Sequence, residues 1–314
     1  MRVVIIGGSG FIGTRLVEYL QKTDHDARIF DKNPSSAFNG LVTLGDVRDQ
    51  HAISQALRGV DVVYNLAAEH ADDVRPVSLY YDVNVQGAKN IVQAAERNGV
   101  KKIVFTSTVA VYGLNKPNPD ENNPTEPFND YGKSKLEAEI VFNQWAEKGD
   151  GRSLVIVRPT VIFGEGNEGN VYTLINQIAS KRFIMVGHGH NRKSMGYVGN
   201  LVDFLIRAAE FGEGTHLFNY ADKPDMSVRE LVNYIRQELG ILTPLPVLPY
   251  LLGLMGGYSF DLASRITGKQ FSINSIRIRK FYANTTVSTS ALESIGFKPV
   301  VSLQEGLSRM MRSM

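Results

Sequence analysis

Tyr131 and Lys135 stand four residues apart in the run Asp130-Tyr131-Gly132-Lys133-Ser134-Lys135. On a helix, two such side chains share a face. An ammonium one turn from a phenol favours the phenolate, so a tyrosine pKa of about 10 is expected to fall toward working pH. A tyrosine tuned this way can take the proton of an alcohol while hydride leaves the same carbon. The spacing is common in chains of this length, and its surroundings give it weight.

Hydride needs an acceptor, and the N-terminus offers a place for one. Val3-Val4-Ile5-Ile6 has the length and character of a buried parallel strand. It breaks into Gly7-Gly8-Ser9-Gly10-Phe11-Ile12-Gly13, and a helical pattern follows through Ile12, Leu16, Tyr19 and Leu20. Glycines three apart at such a turn let the backbone approach a pyrophosphate at the positive end of the helix. A second strand, Ala27 to Phe30, ends in Asp31. An acid there hydrogen-bonds the adenosine ribose hydroxyls and repels a 2′-phosphate, so the expected cofactor is NAD rather than NADP. Gly7, Gly10, Phe11, Ile12, Gly13, Asp31 and Lys32 are its expected contacts.

The elements that must carry these residues alternate. Strand-like runs at Leu41 to Leu44, Val60 to Asn65, Lys102 to Thr106 and Leu154 to Val157 are separated by helical patterns. The clearest is the buried stripe Ala88, Ile91, Val92, Ala95. Alternation of this kind predicts an α/β fold: a Rossmann-type doubly wound parallel sheet with helices on both faces. Pro117 to Pro127 reads as a loop that delivers the chain to the Tyr131 helix. Beyond Gly164 the pattern loosens, which predicts a smaller C-terminal substrate lobe. The expected division is 1–164 plus about 195–222 for the NAD-binding domain, and about 165–194 plus 223–314 for the lobe.

Composition narrows the rest. With 314 residues, 43% hydrophobic and 21% charged, the chain can bury a full core. Its net charge of +2 and a first half without basic-aromatic clusters give nucleic-acid binding no support. There is no cysteine, which excludes disulfides and thiolate chemistry. The six histidines show no metal spacing; His188 and His190 sit in a glycine-rich stretch that reads as a loop. The N-terminal apolar run is too short for a signal peptide, so a cytoplasmic protein is expected.

One segment stands apart. Leu239 to Phe260 carries no charge, yet Pro244, Pro246 and Pro249 break any spanning helix within it. Arg265, Lys269, Arg277, Arg279 and Lys280 follow, with Asp261 the only acid between. Apolar surface beside cations suits an anionic membrane face. A subunit interface or a proline-rich core loop would read the same way, and both remain open for segment 239–280.

These residues together resemble the extended short-chain dehydrogenase/reductase family, in its branch of nucleotide-sugar epimerases and dehydratases, over nearly the whole chain. Gly7-x-x-Gly10-x-x-Gly13 is similar to the dinucleotide fingerprint. Asp46-Val47 resembles the pair that caps the adenine. Leu66-Ala67-Ala68 resembles the stretch lining the cofactor's ribose, and Asn84 the asparagine that steadies it. Phe105 to Gly113, through Val111-Tyr112-Gly113, is similar to the strand bearing the catalytic Ser/Thr. That resemblance assigns the role to Thr108, with Ser107 beside it, and completes a triad with Tyr131 and Lys135. It also implies that Thr106 and Pro159, after Arg158, touch the cofactor, and that a homodimer pairs through helices.

A narrower resemblance lies in Gly45 to Gln50, Ala67 to Asp73, Ser78 to Gly87, Arg158 to Gly164 and Lys193 to Asn200. These stretches are similar to a bacterial subgroup of 4-epimerases that act on an N-acetylhexosamine held by diphosphate on undecaprenol, in O-antigen and other surface-polysaccharide synthesis. The resemblance implies a protein at the inner face of the cytoplasmic membrane, with His70, Ser107, Thr108, Arg192, Lys193 and Arg279 on the substrate side. Departures from soluble nucleotide-sugar relatives are Val161 for an asparagine, Gly199-Asn200 for Asp-Asp, and Lys193 for an arginine. The rivals are an epimerase of UDP-linked sugars, a 4-keto reductase, a dehydratase, and an NAD-sensing protein without catalysis. Val109 and Ala110 stand where a dehydratase carries Asp-Glu, Asp31 disfavours an NADP reductase, and the intact triad disfavours a sensor.

Overall fold

The structure is a computed structural model that describes residues 1–71, 74–268 and 275–314. Six strands occupy the first half: β1 (Arg2–Ile6), β2 (Asp26–Asp31), β3 (Val42–Leu44), β4 (Val62–Asn65), β5 (Lys102–Thr106) and β6 (Ser153–Pro159). Between them run α1 (Phe11–Leu20), α2 (Gln50–Ala56), α3 (Ser78–Tyr81), α4 (Gly87–Asn98) and α5 (Asp130–Ala146). Each strand lies close to where apolar runs placed it; β1, β4, β5 and β6 are covered on both faces and so are apolar almost throughout. Residues 82–86, which join α3 to α4, form a π turn that carries Asn84.

The second half adds β7 (Val161–Phe163), α6 (Asn170–Ala179), β8 (Met185–Val186), β9 (Arg192–Tyr197), α7 (Val198–Ala208), β10 (Gly214–Tyr220) and β11 (Asp222–Ser227). It ends with α8 (Val228–Glu238), β12 (Val247–Leu248), α9 (Tyr250–Thr267), α10 (Ser275–Tyr282), α11 (Ser290–Ser294) and α12 (Leu303–Arg312). β10 returns to the large sheet, whose order is β10-β6-β5-β4-β1-β2-β3, parallel at every pairing. β7, β9 and β11 form a small separate sheet, and β8 pairs with β12.

Successive strand residues alternate between two cores. Val3, Ile5, Tyr64, Val104 and Val155 face α1 and α7, whereas Val4, Ile6, Val63, Ile103 and Ile156 face α4 and α5. The strand order reverses between β1 and β4, with β2 and β3 to one side and β5, β6 and β10 to the other. Such a switch point opens a crevice at the carboxyl ends of the strands, where doubly wound folds take ligands. Gly7 leaves β1 and Leu66 leaves β4 at that place.

The uncharged segment resolves into β12 and α9, which starts directly after Pro249. Among the described residues, no helix is long and apolar enough to cross a membrane. The packing of α9 inverts the usual pattern. Gly253 and Gly257 face the protein so closely that an added Cβ would come within 2.6 Å of Val186 and 2.8 Å of Ile278. Leu251, Met255, Tyr258, Leu262 and Ile266 form the opposite face and are all exposed, Ile266 by 76%. Lys269, from the basic flank, lies outside the described residues.

α7 is fastened to β10 by aromatic rings. Phe204 is fully buried, with the rings of Phe218, Tyr220 and Phe297 at 5.3, 5.8 and 5.2 Å. Phe204→Ala should cost about 3–5 kcal/mol, the range for an emptied aromatic site. A urea titration showing less than about 1 kcal/mol of loss would contradict this packing.

Candidate active site

The C-terminal end of β5 presents Thr106-Ser107-Thr108. Thr108 is extended, with φ −162°, and opens the single turn Val109–Tyr112, its hydroxyl accepting from the Ala110 amide at 3.2 Å. α5 begins beside that turn, capped by the Asn129 side chain, which accepts from the Gly132 amide at 2.9 Å. Gly132 permits the approach: a Cβ there would stand 2.9 Å from the Ala110 carbonyl oxygen. Tyr131, in the first turn, is thereby brought beside Thr108, whose hydroxyl favours the phenolate.

Lys135 follows one turn later and is 2% exposed. Its Nζ donates to the Thr106 carbonyl at 2.6 Å and lies 4.3 Å from the centre of the Phe105 ring. Burial lowers its pKa to about 7, with the Glu139 carboxylate acting in the opposite direction. Burial raises the Tyr131 phenol above its usual value, and the Thr108 hydrogen bond offsets part of that rise. The expected fall in the tyrosine pKa is thus corrected for the chain by itself. Desolvation disfavours the phenolate, and the ammonium that should favour it is itself pushed toward neutrality.

Behind this pair lies a polar network. Arg158 and Glu139, 4% and 3% exposed, are joined by two hydrogen bonds: Nε to Oε1 at 2.9 Å and Nη2 to Oε2 at 2.6 Å. Ser107 donates to the same Oε1. Arg158 Nη1 donates to the Tyr112 hydroxyl at 2.7 Å, which donates in turn to Asn219 Oδ1 at 2.9 Å. Burial opposes the guanidinium's charge, but Glu139 holds its pKa above the ordinary arginine value.

The cofactor side fits a dinucleotide. A Cβ on Gly13 would stand 2.5 Å from the Gly8 backbone, and one on Gly7, at φ +82°, would stand 2.6 Å from the Ala67 amide. That tight cradle leaves backbone N–H groups at the start of α1, with Phe11 and Ile12 packed against the core beneath. The Asp31 carboxylate accepts from the Ser9 and Asn33 amides at 3.0 and 2.9 Å, which orients it at the crevice beside exposed Lys32. Val47 is buried and holds Asn90 through its carbonyl, while Asp46 pairs with Arg48 at 2.7 Å. Leu66, Ala67 and Ala68 leave β4 half-buried, and Pro159 closes β6. Asn84 bridges this side to the reactive helix. It exchanges hydrogen bonds with the Glu69 backbone and donates at 2.9 Å to Ser134, which donates to the Tyr131 carbonyl.

The substrate side agrees less well with expectation. The Ser107 hydroxyl is directed to Glu139. Lys193 Nζ donates to the carbonyls of Lys280 and Ala283 at 2.8 and 2.7 Å, closing the C-terminal end of α10. Burial lowers its pKa to about 8. Arg192 is exposed and donates to the Asp225 carbonyl at 2.9 Å. Arg279 donates to the Tyr258 hydroxyl across α9 and α10, and His70 is exposed after β4. Glu139, Ser134 and Asn219 were not singled out from the sequence. Glu139 had a signal, since Tyr131, Lys135 and Glu139 continue one i, i+4 row.

Residues 3–221 match the NAD dependent epimerase/dehydratase family. The chain is 52% identical over 309 residues to the N-acetyl-alpha-D-glucosaminyl-diphospho-ditrans,octacis-undecaprenol 4-epimerase of Escherichia coli O157:H7, covering 98% of this chain and 93% of that protein. It is 30% identical over 321 residues to a UDP-glucose 4-epimerase of Vibrio cholerae, covering 97% and 92%. The fold is similar to that of the Thermus thermophilus UDP-glucose 4-epimerase solved with NAD. The TM-score is 0.78 at 20% identity, over 100% of this chain and 98% of that one.

The Lys135 shift has a sign that can be measured. Below about pH 7 the amine is charged in folded and unfolded chains alike. Between there and its ordinary 10.5 the unfolded chain holds the proton and the folded chain does not, so stability from this group increases with pH across that window. The urea midpoint of the parent minus that of Lys135→Met should therefore climb between about pH 7 and about pH 10. A difference constant with pH would contradict the burial.

Proposed function

This chain belongs to the NAD-dependent epimerase/dehydratase family, and from that premise we propose that it is a sugar 4-epimerase. It interconverts N-acetylglucosaminyl- and N-acetylgalactosaminyl-diphospho-undecaprenol through a 4-keto sugar. The observation that carries the reading is identity of 52% to an enzyme of that name across nearly the full length of both chains. The contact between Tyr131 and Thr108 supplies the chemistry.

Tyr131 takes the proton of the sugar 4-hydroxyl, and Thr108 donates a hydrogen bond to the oxygen on which charge develops. Lys135, one turn along, holds α5 to the end of β5 through the Thr106 carbonyl and so keeps the phenol facing the site. NAD, when bound, would supply a hydride acceptor that returns what it takes, so the reaction would have no net oxidation. Between the two transfers the 4-keto sugar turns over, and return to its other face inverts C4. Gly7, Gly10 and Gly13 hold the pyrophosphate and Asp31 the adenosine ribose. Purified protein offered the undecaprenyl-linked sugar and UDP-N-acetylglucosamine side by side should epimerise the lipid-linked one. Tyr131→Phe should lower that rate by about 10²–10⁴-fold with NAD retained. Turnover of the UDP-sugar alone would move the reading to the soluble nucleotide-sugar epimerases.

The substrate's carrier lies in a membrane, and α9 offers a face to reach it. Leu251, Met255, Leu262 and Ile266 turn outward along one side, and α10 places Arg277 and Arg279 close by. Large apolar side chains in water beside cations match the surface of an anionic bilayer. The protein rests there peripherally, at the cytoplasmic leaflet. In flotation, the parent should rise with phosphatidylglycerol vesicles, while a variant with Ser at those four apolar positions stays behind. Equal flotation of both proteins would refute the docking face.

A further inference from the structure

We propose that the buried Glu139–Arg158 ion pair is a positioning device that fixes Thr108 against Tyr131 and links that placement to the segments around Pro119 and Ser288. The inference rests on Thr108 and Tyr131 being the reacting pair. It is independent of which carrier bears the sugar.

Thr108 lies within a short stretch whose two ends are held by opposite halves of one ion pair. On its N-terminal side, Ser107 donates to Glu139 Oε1. On its C-terminal side, the turn ends at Tyr112, whose hydroxyl accepts from Arg158 Nη1 at 2.7 Å and whose ring lies 4.9 Å from the guanidinium. Glu139 belongs to α5, two turns beyond Tyr131. Arg158 belongs to β6, whose neighbour β5 delivers Thr108. The pair therefore joins the element that carries the phenol to both ends of the stretch that carries the hydroxyl donor.

A buried ion pair is a poor device for stability. Desolvating both charges costs several kcal/mol per ion, and well-packed apolar replacements are often neutral or stabilising. Its geometry offers direction instead. The forked carboxylate–guanidinium contact has fixed planes, and each partner still has a hydrogen bond to give or accept toward 107–112.

The device extends outward. Tyr112 donates to Asn219 Oδ1, and Asn219 Nδ2 donates to the carbonyls of Pro119 and Ser288 at 3.2 and 3.3 Å. The Asn219 amide donates to Glu121 at 2.6 Å, and the Ser288 amide donates to the Pro119 carbonyl at 3.0 Å. The stretches just before Pro119 and Ser288 face one another across a depression lined by Asn115, Lys116, Pro117, Asn118, Asn284 and Thr286. Thr108 is thus in register with two loops that lie outside the sheet.

The experiment pairs kinetics with a spectroscopic report on Tyr131. Glu139→Leu/Arg158→Met replaces the pair by apolar groups of similar volume. A folded double variant should lose about 10–100-fold in kcat, the effect of a misplacement on the order of 1 Å, with KM within about twofold. Its Tyr131 resonance, followed with ¹³Cζ-tyrosine and assigned through Tyr131→Phe, should shift as the Thr108 contact loosens. Parent-like kcat and an unmoved resonance would overturn the proposal. Should the double variant not fold, Tyr112→Phe decides. It keeps the ring under the guanidinium and removes only the hydroxyl, so kcat should fall several-fold at unchanged melting temperature, and an unchanged kcat would overturn the proposal. If the parent protein epimerises neither sugar, the proposed function fails, while the Tyr131 resonance still tests the device.

Discussion

A buried lysine amine pressed against a main-chain carbonyl at the carboxyl end of an inner strand is the contact on which the rest of the site depends. The Lys135–Thr106 bond ties α5 to the end of β5, and it places Tyr131 and Thr108 within reach of one another. The same burial sets their proton affinities. It raises the phenol and lowers the amine, so the chain's own groups favour the neutral pair over phenolate and ammonium. Positive charge added near the phenol would act against that preference, by the same electrostatics that burial works through.

Most of the frame was legible in the residues because apolar periodicity reports burial directly. β1, β4, β5 and β6 are apolar runs bounded by breakers, and they had to be strands covered on both faces. The glycine ladder and Asp31 were legible for a similar reason, since their roles are local and follow from backbone geometry within one βαβ unit. What escaped were contacts between residues distant in sequence. Nothing in the neighbourhood of Lys193 says that its ammonium closes the end of α10, or that Ser107 looks inward to Glu139. A cation in a sequence is only a charge, and its partner is decided by packing.

The tyrosine shows the same limit in energetic form. Spacing placed the ammonium on the right face and at the right turn. It could not reveal that both groups would be desolvated together, which changes the sign of the effect on the phenol. The distinction matters for the wider site, where two aligned hydrogen bonds to Glu139 hold the Arg158 pKa up against burial. Lys135 has one carbonyl and one ring, and that is too little to hold a full charge.

The inverted packing of α9 carries a practical corollary. With glycines turned inward and large side chains outward, dilute aqueous buffer leaves a greasy stripe without cover. Any contact that covered this stripe would withdraw apolar area from water, and a mild detergent would compete for the same surface.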